Sequence, residues 1–539
     1  MIINYKQLSA RAKQQHVKVE DIQVRRGVIL DRRGRDLALN LDLESLYCDP
    51  ANLTADDEDI KKLASFVSRE PRAVLAKIPE EGRFAWIERK MDPATAEKIR
   101  ELKIDGLGFV TEPKRFYPRN ELASHIIGCV GVDNQALEGV ELKYDKYMKT
   151  SGGKVFLERD ASGRTLSSGV NTEAKGNNII LTIDEVLQQL VEKEIDKAMQ
   201  QWKAAAASVI MMDPFTGEIL AMANRPAYDL NKGRNARNYE KRDRAITDLY
   251  EPGSTFKIVI GTGSLEEKVV RPESLFDVSR GSIEVGGKTI KDVHRYGVIS
   301  FKEVIQKSSN VGSIMIGMKL GKERVYRYAK LLGFGEKTGI DLPGEVSGWM
   351  HAPERWSGTS LGAIPIGQEV AVTPLQMLRA YSAVANGGFL VRPHVVSRVI
   401  SPDGETVASF EDSKAKRVLS SKTAETFKDV LKSVTEDGGT GKMASVDGNE
   451  VAGKTGTAQI INPITKRYSK EKYVSSFVGF VPADKPRLAM IVVVYEPRGA
   501  IYGGVVAAPV FREVATQALS YLEVPRERAQ HQRSQLAFK

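Results

Sequence analysis

At 539 residues with 42% hydrophobic content, the chain is longer than one average domain and can fill more than one core, so two or three domains are expected. Its 79 basic and 69 acidic side chains are mixed along the chain, and the net charge of +10 comes without zinc-finger spacing, an RNA-binding aromatic motif or a concentrated basic stripe, which argues against a nucleic-acid partner. No run nears the roughly 18 apolar residues of a membrane span, no secretory leader opens the chain, and Cys48 and Cys129, in no metal-binding spacing, allow one disulfide without naming a compartment.

Residues 1–24 are polar and charge-broken, with only a weak helical pattern. Structure is expected from Arg25, where the Asp31-Arg-Arg-Gly34 turn between apolar stretches suggests a hairpin or extended scaffold. Residues 51–105 alternate charged helical stretches with turns. Residues 112–178, rich in glycine and short turns, read as extended chain with several hairpins rather than a helix bundle. The character changes near residue 178. Thr182 and Glu185 have capping-box spacing, and Leu187, Leu190, Val191, Ile195, Ala198 and Trp202 share one helical face. ASVIMMDPFTGEILAMANRP then predicts strand, turn and strand. Further on, SSKTAETFKDVLKSVTEDGG reads as an amphipathic helix stopped by Asp437, Gly438 and Gly439. The apolar runs VAGKTGTAQI, YVSSFVGFVP and LAMIVVVY complete a reading of helices around a mostly antiparallel sheet over residues 179–524. The basic polar tail, 525–539, reads as a frayed end.

Three short motifs carry chemistry. In EPGSTFKIV, Ser254 and Lys257 lie three positions apart, so one helical or 3₁₀ turn puts them on one face. A serine hydroxyl needs a base, and a lysine amine serves once its surroundings favour the neutral form. In KSSNVG, after a helix expected to start near Ser300 and Glu303, Ser308 can relay a proton and Asn310 can bond a peptide amide, with Ser309 facing away. In AGKTGTAQ, Lys454 offers positive charge, Gly456 lets a substrate backbone approach a sheet edge, and Thr457 can bind a carboxylate. The backbone N–H groups of Ser254 and Thr457 can form an oxyanion hole. Each motif alone is commonplace: a capped helix, a polar turn, a glycine-bearing strand.

Together, Ser254-x-x-Lys257, Ser308-x-Asn310 and Lys454-Thr455-Gly456 resemble the motif set of serine penicillin-binding proteins, with SSN standing where the usual form has SDN. The resemblance extends through RGVILDRRGRDLA, FYPRNELASHIIG, MMDPFTGEILAMANRPAYD and IPIGQEVAVTPLQM to Tyr502-Gly503-Gly504, so the chain resembles class B high-molecular-mass transpeptidases of the cell-division and sporulation group. That resemblance implies a multidomain fold: a juxtamembrane-like segment (1–24), an elongated, extended α+β pedestal of the dimerisation type (25–178), and a transpeptidase domain (179–524) with an antiparallel sheet flanked by helices. It implies a D,D-transpeptidase that cross-links stem peptides ending in D-Ala-D-Ala through an acyl-serine on Ser254 and is acylated by β-lactam antibiotics. Lys257, Ser308, Asn310 and Lys454 would assist, and Thr455, Gly456, Thr457, Tyr502, Gly503 and Gly504 would bind substrate.

No cofactor or metal is required by this scheme. The expected partners are a multi-pass membrane glycan polymerase and divisome or sporulation proteins. The expected setting is a membrane-anchored protein with its catalytic domain outside, of which this chain would be a soluble fragment. A β-lactamase is the nearest enzymatic rival, and a catalytically weak scaffold or sensor is the non-enzymatic one. His294, in KDVHRYG, reads as a surface or packing residue, while Trp356 and Tyr502 are cleft candidates.

Overall fold

The computed structural model describes residues 25–80, 82, 84–149, 175–410, 415–461, 465 and 467–526, and the backbone alone of 17–22, 153–159 and 165–170. The readings made for most of residues 1–24 and for the tail beyond 526 lie outside the described residues.

The C-terminal half is built on a five-stranded antiparallel sheet. Its order is Ile219–Arg225, Ala206–Met212, Leu488–Tyr495, Tyr468–Val481 and Ala452–Ile461. The first two strands are buried at every residue, which fits near-continuous apolar runs covered on both faces. The period-two alternation sorts their side chains between two cores. Ile210, Met212, Ile491 and Val493 enter the larger one, with the helices Lys257–Glu266, Pro374–Ala385 and Ser421–Lys432. Val209, Met211, Val492 and Val494 enter the other, with Glu185–Trp202 and Ala508–Tyr521. The strand–turn–strand reading of 207–226 holds.

Several local expectations change. The helix Glu185–Trp202 is capped by Asp184, whose side chain accepts from Val186 N and Leu187 N. Thr182 instead directly follows the strand Asn178–Leu181, and its buried hydroxyl donates to the carbonyl of Ile219 across 2.7 Å. The helix Ser421–Lys432 ends before the Asp437–Gly439 stop. Within 112–178, single-turn helices Ser124–Ile127, Gly139–Lys143 and Asp145–Met148 interrupt the extended chain. The strands Gly153–Arg159 and Thr165–Val170 pair as a hairpin, and the first of them also pairs with Val17–Ile22, where only weak helical character was legible.

A second sheet joins the two halves. The long strand Asp36–Cys48 pairs with Ala85–Met91 and Leu107–Phe116, while Ile29–Leu30 leads through Asn178–Leu181 to Val396–Ile400 and Thr406–Ser409. The Asp31–Gly34 turn lies between Ile29–Leu30 and Asp36–Cys48, as expected. Its Asp31 carboxylate accepts from Arg35 and from Glu185 N, and Arg35 also donates to Asp184. The turn is thereby tied to the N-terminus of the C-terminal half's first helix. Behind it Glu141, fully buried, is gripped by Arg26 (2.8 Å) and Arg115 (2.6 Å).

The two cysteines do not pair. Cys48 lies in a small core with Leu46, Leu63, Ile87 and Ile99, and Cys129 in the large core, both as buried free thiols. Among the described residues no helix is long and apolar enough to cross a membrane.

Candidate active site

Pro252 and Gly253 turn the chain into one 3₁₀ turn, Gly253–Phe256, that continues without a break into Lys257–Glu266. Gly253 has φ +56, a left-handed conformation that favours glycine. The turn is pinned from behind. Phe256 is buried 4.9 Å from the Phe334 ring, and the Tyr381 hydroxyl donates to the carbonyl of Thr255 across 2.9 Å. Ser254 is left partly exposed, with Lys257 wholly buried one turn on.

The second motif follows the helix Phe301–Gln306, which opens with the expected Ser300–Glu303 capping box. Ser308 then takes φ +57, a conformation that costs a non-glycine residue about 1–2 kcal/mol. The next helix, Asn310–Leu320, begins immediately, with Ser309 as its cap. The kink places the Ser308 hydroxyl as donor to Ser254 Oγ across 2.9 Å. The same Ser308 oxygen accepts from Lys257 Nζ at 3.1 Å and from Lys454 Nζ at 3.0 Å. Lys257 also donates to the carbonyls of Ser308 (2.7 Å) and Ser309 (3.2 Å) and to Asn310 Oδ1 (3.2 Å).

Lys454 comes from the sheet's edge strand Ala452–Ile461 and is 1% exposed. Two ammonium groups cannot share so dry a site at full charge. Burial pushes Lys257 down to about 7, with the nearby Asp292 charge pulling the other way. Burial first, and then the charge of Lys257, push Lys454 well below the usual lysine range.

Above these groups opens a cleft of about 800 Å³. Ser254, Ser308, Asn310, Thr455, Thr457, Tyr502, Gly503 and Gly504 all reach its wall, whereas Lys257 and Lys454 lie beneath its floor. Thr457 Oγ1 accepts from Gly503 N across 3.1 Å, and the Thr455 and Thr440 hydroxyls are 2.8 Å apart, so the third motif and the Tyr502–Gly504 stretch form one wall. Gly456 has a requirement the sequence did not reveal: a Cβ there would come within 3.0 Å of Thr255 Cγ2 and 3.1 Å of the Pro252 carbonyl. The glycine lets the turn that carries Ser254 close onto the edge strand.

His294, read as a surface or packing residue, is exposed on the cleft wall, while Trp356 stands outside the cleft and donates from its indole to the carbonyl of His351. Two acidic residues on the wall were missed. Glu251 accepts from Glu369 N (3.0 Å) and from the Tyr468 hydroxyl (3.2 Å). Asp292 accepts from Ser309 Oγ and from the backbone of Asn310 and Val311. Glu251 adjoins a motif, but Asp292 is a lone acid in an irregular loop. Its only sequence signal was the serine standing where the second motif usually has an acid. Among the described residues no group of three His, Cys, Asp or Glu side chains is placed to hold a metal.

A partly exposed serine one turn ahead of a buried lysine, with a bridging hydroxyl and a second lysine from a sheet edge, defines the active-serine class that penicillins recognise. The chain belongs to the penicillin-binding protein transpeptidase family. Residues 207–516 match the Penicillin binding protein transpeptidase domain, and residues 21–181 match the Penicillin-binding Protein dimerisation domain, the pairing found in class B high-molecular-mass members.

The chain is 32% identical over 531 residues to a probable peptidoglycan D,D-transpeptidase PenA of Neisseria meningitidis, covering 97% of this chain and 89% of that protein. It is 33% identical over 518 residues to the peptidoglycan D,D-transpeptidase FtsI of Escherichia coli, covering 94% and 85%. With stage V sporulation protein D of Bacillus subtilis it shares 34% over 510 residues, covering 93% and 78%. The crystal structure of penicillin-binding protein 3 from Mycobacterium tuberculosis complexed with aztreonam superposes with a TM-score of 0.74 at 28% identity, covering 94% of this chain and 98% of that one.

Proposed function

We propose that this chain is a peptidoglycan D,D-transpeptidase that cross-links stem peptides ending in D-Ala-D-Ala, with Ser254 as the nucleophile. The observation that carries the assignment is the bonded set Ser254, Ser308, Lys257 and Lys454, with the Ser308 oxygen at its centre. The names of the PenA and FtsI relatives and the antibiotic complexes among the similar structures support the same reading.

In the proposed reaction Ser254 Oγ attacks the penultimate D-Ala carbonyl carbon while its proton passes, by way of Ser308, to the neutral Lys257 amine. An amine held at about 7 is substantially neutral at physiological pH. The oxyanion is received by the backbone N–H groups of Ser254 and Thr457. Collapse breaks the peptide C–N bond, and the departing D-Ala amine takes the proton back from Lys257. A second stem's amine then attacks the acyl ester, loses a proton to the same relay, and frees Ser254 with the cross-link formed. Thr455 and Thr457 bind the donor's carboxylate, with Lys454 donating to the Thr455 hydroxyl from beneath, Asn310 orients its amide, and Tyr502–Gly504 shape the wall that Gly456 allows to close. A β-lactam enters by the same first step, but its cleaved amide stays tethered, so the acyl-enzyme persists.

The catalytic half works outside the cytoplasmic membrane, where this substrate is found. Its pedestal meets a membrane-embedded glycan polymerase and the division or sporulation machinery. The test is intact mass spectrometry over time after adding benzylpenicillin, with Ser254→Ala as control. A lasting one-equivalent adduct on the parent alone is expected. A transient adduct with rapid drug hydrolysis would make the protein a β-lactamase, and no adduct on folded protein would make it a scaffold.

A further inference from the structure

The second motif reads Ser308-Ser309-Asn310, where active-serine enzymes commonly carry an acid in the middle position. The missing carboxylate arrives from elsewhere in the chain. Asp292 follows the hairpin formed by Ser282–Val285 and Lys288–Lys291, and its backbone N–H donates to the carbonyl of Gly281 across 3.0 Å. Its Oδ2 accepts from Ser309 Oγ at 2.7 Å, and its Oδ1 accepts from the N–H groups of Asn310 (2.5 Å) and Val311 (3.1 Å). The loop holds Asn310 by its side chain too, through a 3.3 Å bond from Asn310 Nδ2 to the carbonyl of Lys291.

We propose that Asp292 is a positioning residue for acyl transfer, supplying from this loop the carboxylate that the motif lacks at Ser309. Three bonds converge on the residues directly after Ser308, so Asp292 helps to hold the left-handed kink that aims the relay hydroxyl at Ser254. The neighbouring Lys291 carbonyl holds the Asn310 amide with its oxygen toward Lys257. The carboxylate acts through charge as well. Of the groups facing Lys257, Asp292, from the loop, attracts its ammonium, while Lys454, from the edge strand, is the amine that burial and the Lys257 charge push toward its neutral form. Asp292 keeps the buried lysine from being driven further into its neutral form, so that it can carry a proton between acceptance and return.

The proposal rests on the acyl-serine reading. Failure of the parent enzyme to form the benzylpenicillin adduct would overturn that reading rather than this one.

The test is the pH profile of benzylpenicillin acylation for the parent, D292N, and the double variant D292N/S309D. D292N keeps an acceptor oxygen but loses the charge. Its acylation rate is expected to fall about 100-fold from misplacement of the relay, with the rising limb of the profile displaced to lower pH because Lys257 releases its proton more readily. D292N/S309D returns the carboxylate at the motif position, where aspartate is also a good helix cap, and should move the limb back toward its parental place. A D292N limb that stays in the parental position, at whatever rate, would reduce Asp292 to a helix cap and overturn the proposal. If D292N does not fold, S309D in the presence of Asp292 serves instead: a second nearby carboxylate must move the limb to higher pH, and an unmoved limb again overturns it.

Discussion

Lys257 and Lys454 meet at a single oxygen, the Oγ of Ser308, to which their Nζ atoms donate across 3.1 and 3.0 Å. One amine rises from the helix behind Ser254 and the other from the sheet edge. Their mutual repulsion in a buried site is an electrostatic reason for at least one to be neutral. A reaction that must take a proton from Ser254 and later return it gains from such a pair. The site stores neither a full charge nor a strong base, yet can pass between protonation states with small rearrangement.

The first consequence is a pH dependence with a defined sign. Lys257 is held at about 7, and the base works deprotonated, so acylation by benzylpenicillin should fall as pH drops through 7 and level off above it. Lys257→Arg leaves a guanidinium that stays charged throughout this range, and should slow acylation at least about 100-fold at every pH. Stopped-flow acylation rates between about pH 5.5 and 8.5 decide it. A flat parental profile would remove Lys257 from the proton path.

Ser308 can be tested for relay and strain together. Ser308→Ala removes the shared hydroxyl and should reduce acylation by about 10² to 10⁴. Ser308→Gly removes it as well but relieves the left-handed backbone at φ +57, so it should be about 1 kcal/mol more stable than the alanine variant while acylating no faster. Urea denaturation provides the first comparison and intact mass the second. An alanine variant that acylates at the parental rate would show that Ser254 reaches its base without Ser308.

The motifs were legible because each is a local pattern whose spacing a helix turn or strand edge preserves: Ser254 to Lys257 on one turn, Lys454 to Thr457 along one strand. The apolar runs likewise announced the central sheet, since strands covered on both faces carry few polar positions, such as Ser208 and Asn224, to disguise them. What escaped was set by distant chain. Asp184 outcompetes Thr182 for the helix cap because the Thr182 hydroxyl has carbonyls of another strand to satisfy. Single-turn helices such as Asp145–Met148 are too short to show a period. The role of Asp292 depends on a hairpin carrying it to Ser309, which no spacing records.

Gly456 should be intolerant of even one methyl. A Cβ would sit 2.4 Å from Ser476 Oγ and 3.0 Å from Thr255 Cγ2. The serine can rotate, but Thr255 belongs to the turn that carries Ser254. Gly456→Ala should therefore cost about 1–3 kcal/mol of overpacking and depress acylation although every catalytic side chain remains. Adding Ser476→Ala relieves the closer contact and should recover part of the stability, with less of the rate. A Gly456→Ala variant acylating at the parental rate would mean that the turn and strand can separate freely.

Glu141 lies far from this chemistry, and there charge burial decides stability. Its carboxylate is wholly buried between Arg26 and Arg115, each 1% exposed, and Tyr117 donates to it across 3.3 Å. Arg26 has a second acid in Asp145, at 2.6 Å, but Arg115 otherwise has the carbonyl of Gly27 at 2.8 Å, and its Nη2 has no hydrogen-bond partner among the described residues. Glu141→Gln keeps the shape while leaving the Arg115 charge uncompensated in the interior, a change that costs about 3–5 kcal/mol. The ion pair between Glu97 and Arg100 is the control, with side chains 62% and 45% exposed. Water already screens that pair, so Glu97→Gln should cost no more than about 0.5 kcal/mol. Calorimetry of both variants beside the parent tests the contrast: a much lower melting transition for Glu141→Gln and almost none of that loss for Glu97→Gln. Equal losses would mean that the buried triad contributes no more than a surface pair, and that packing alone joins the pedestal's segments.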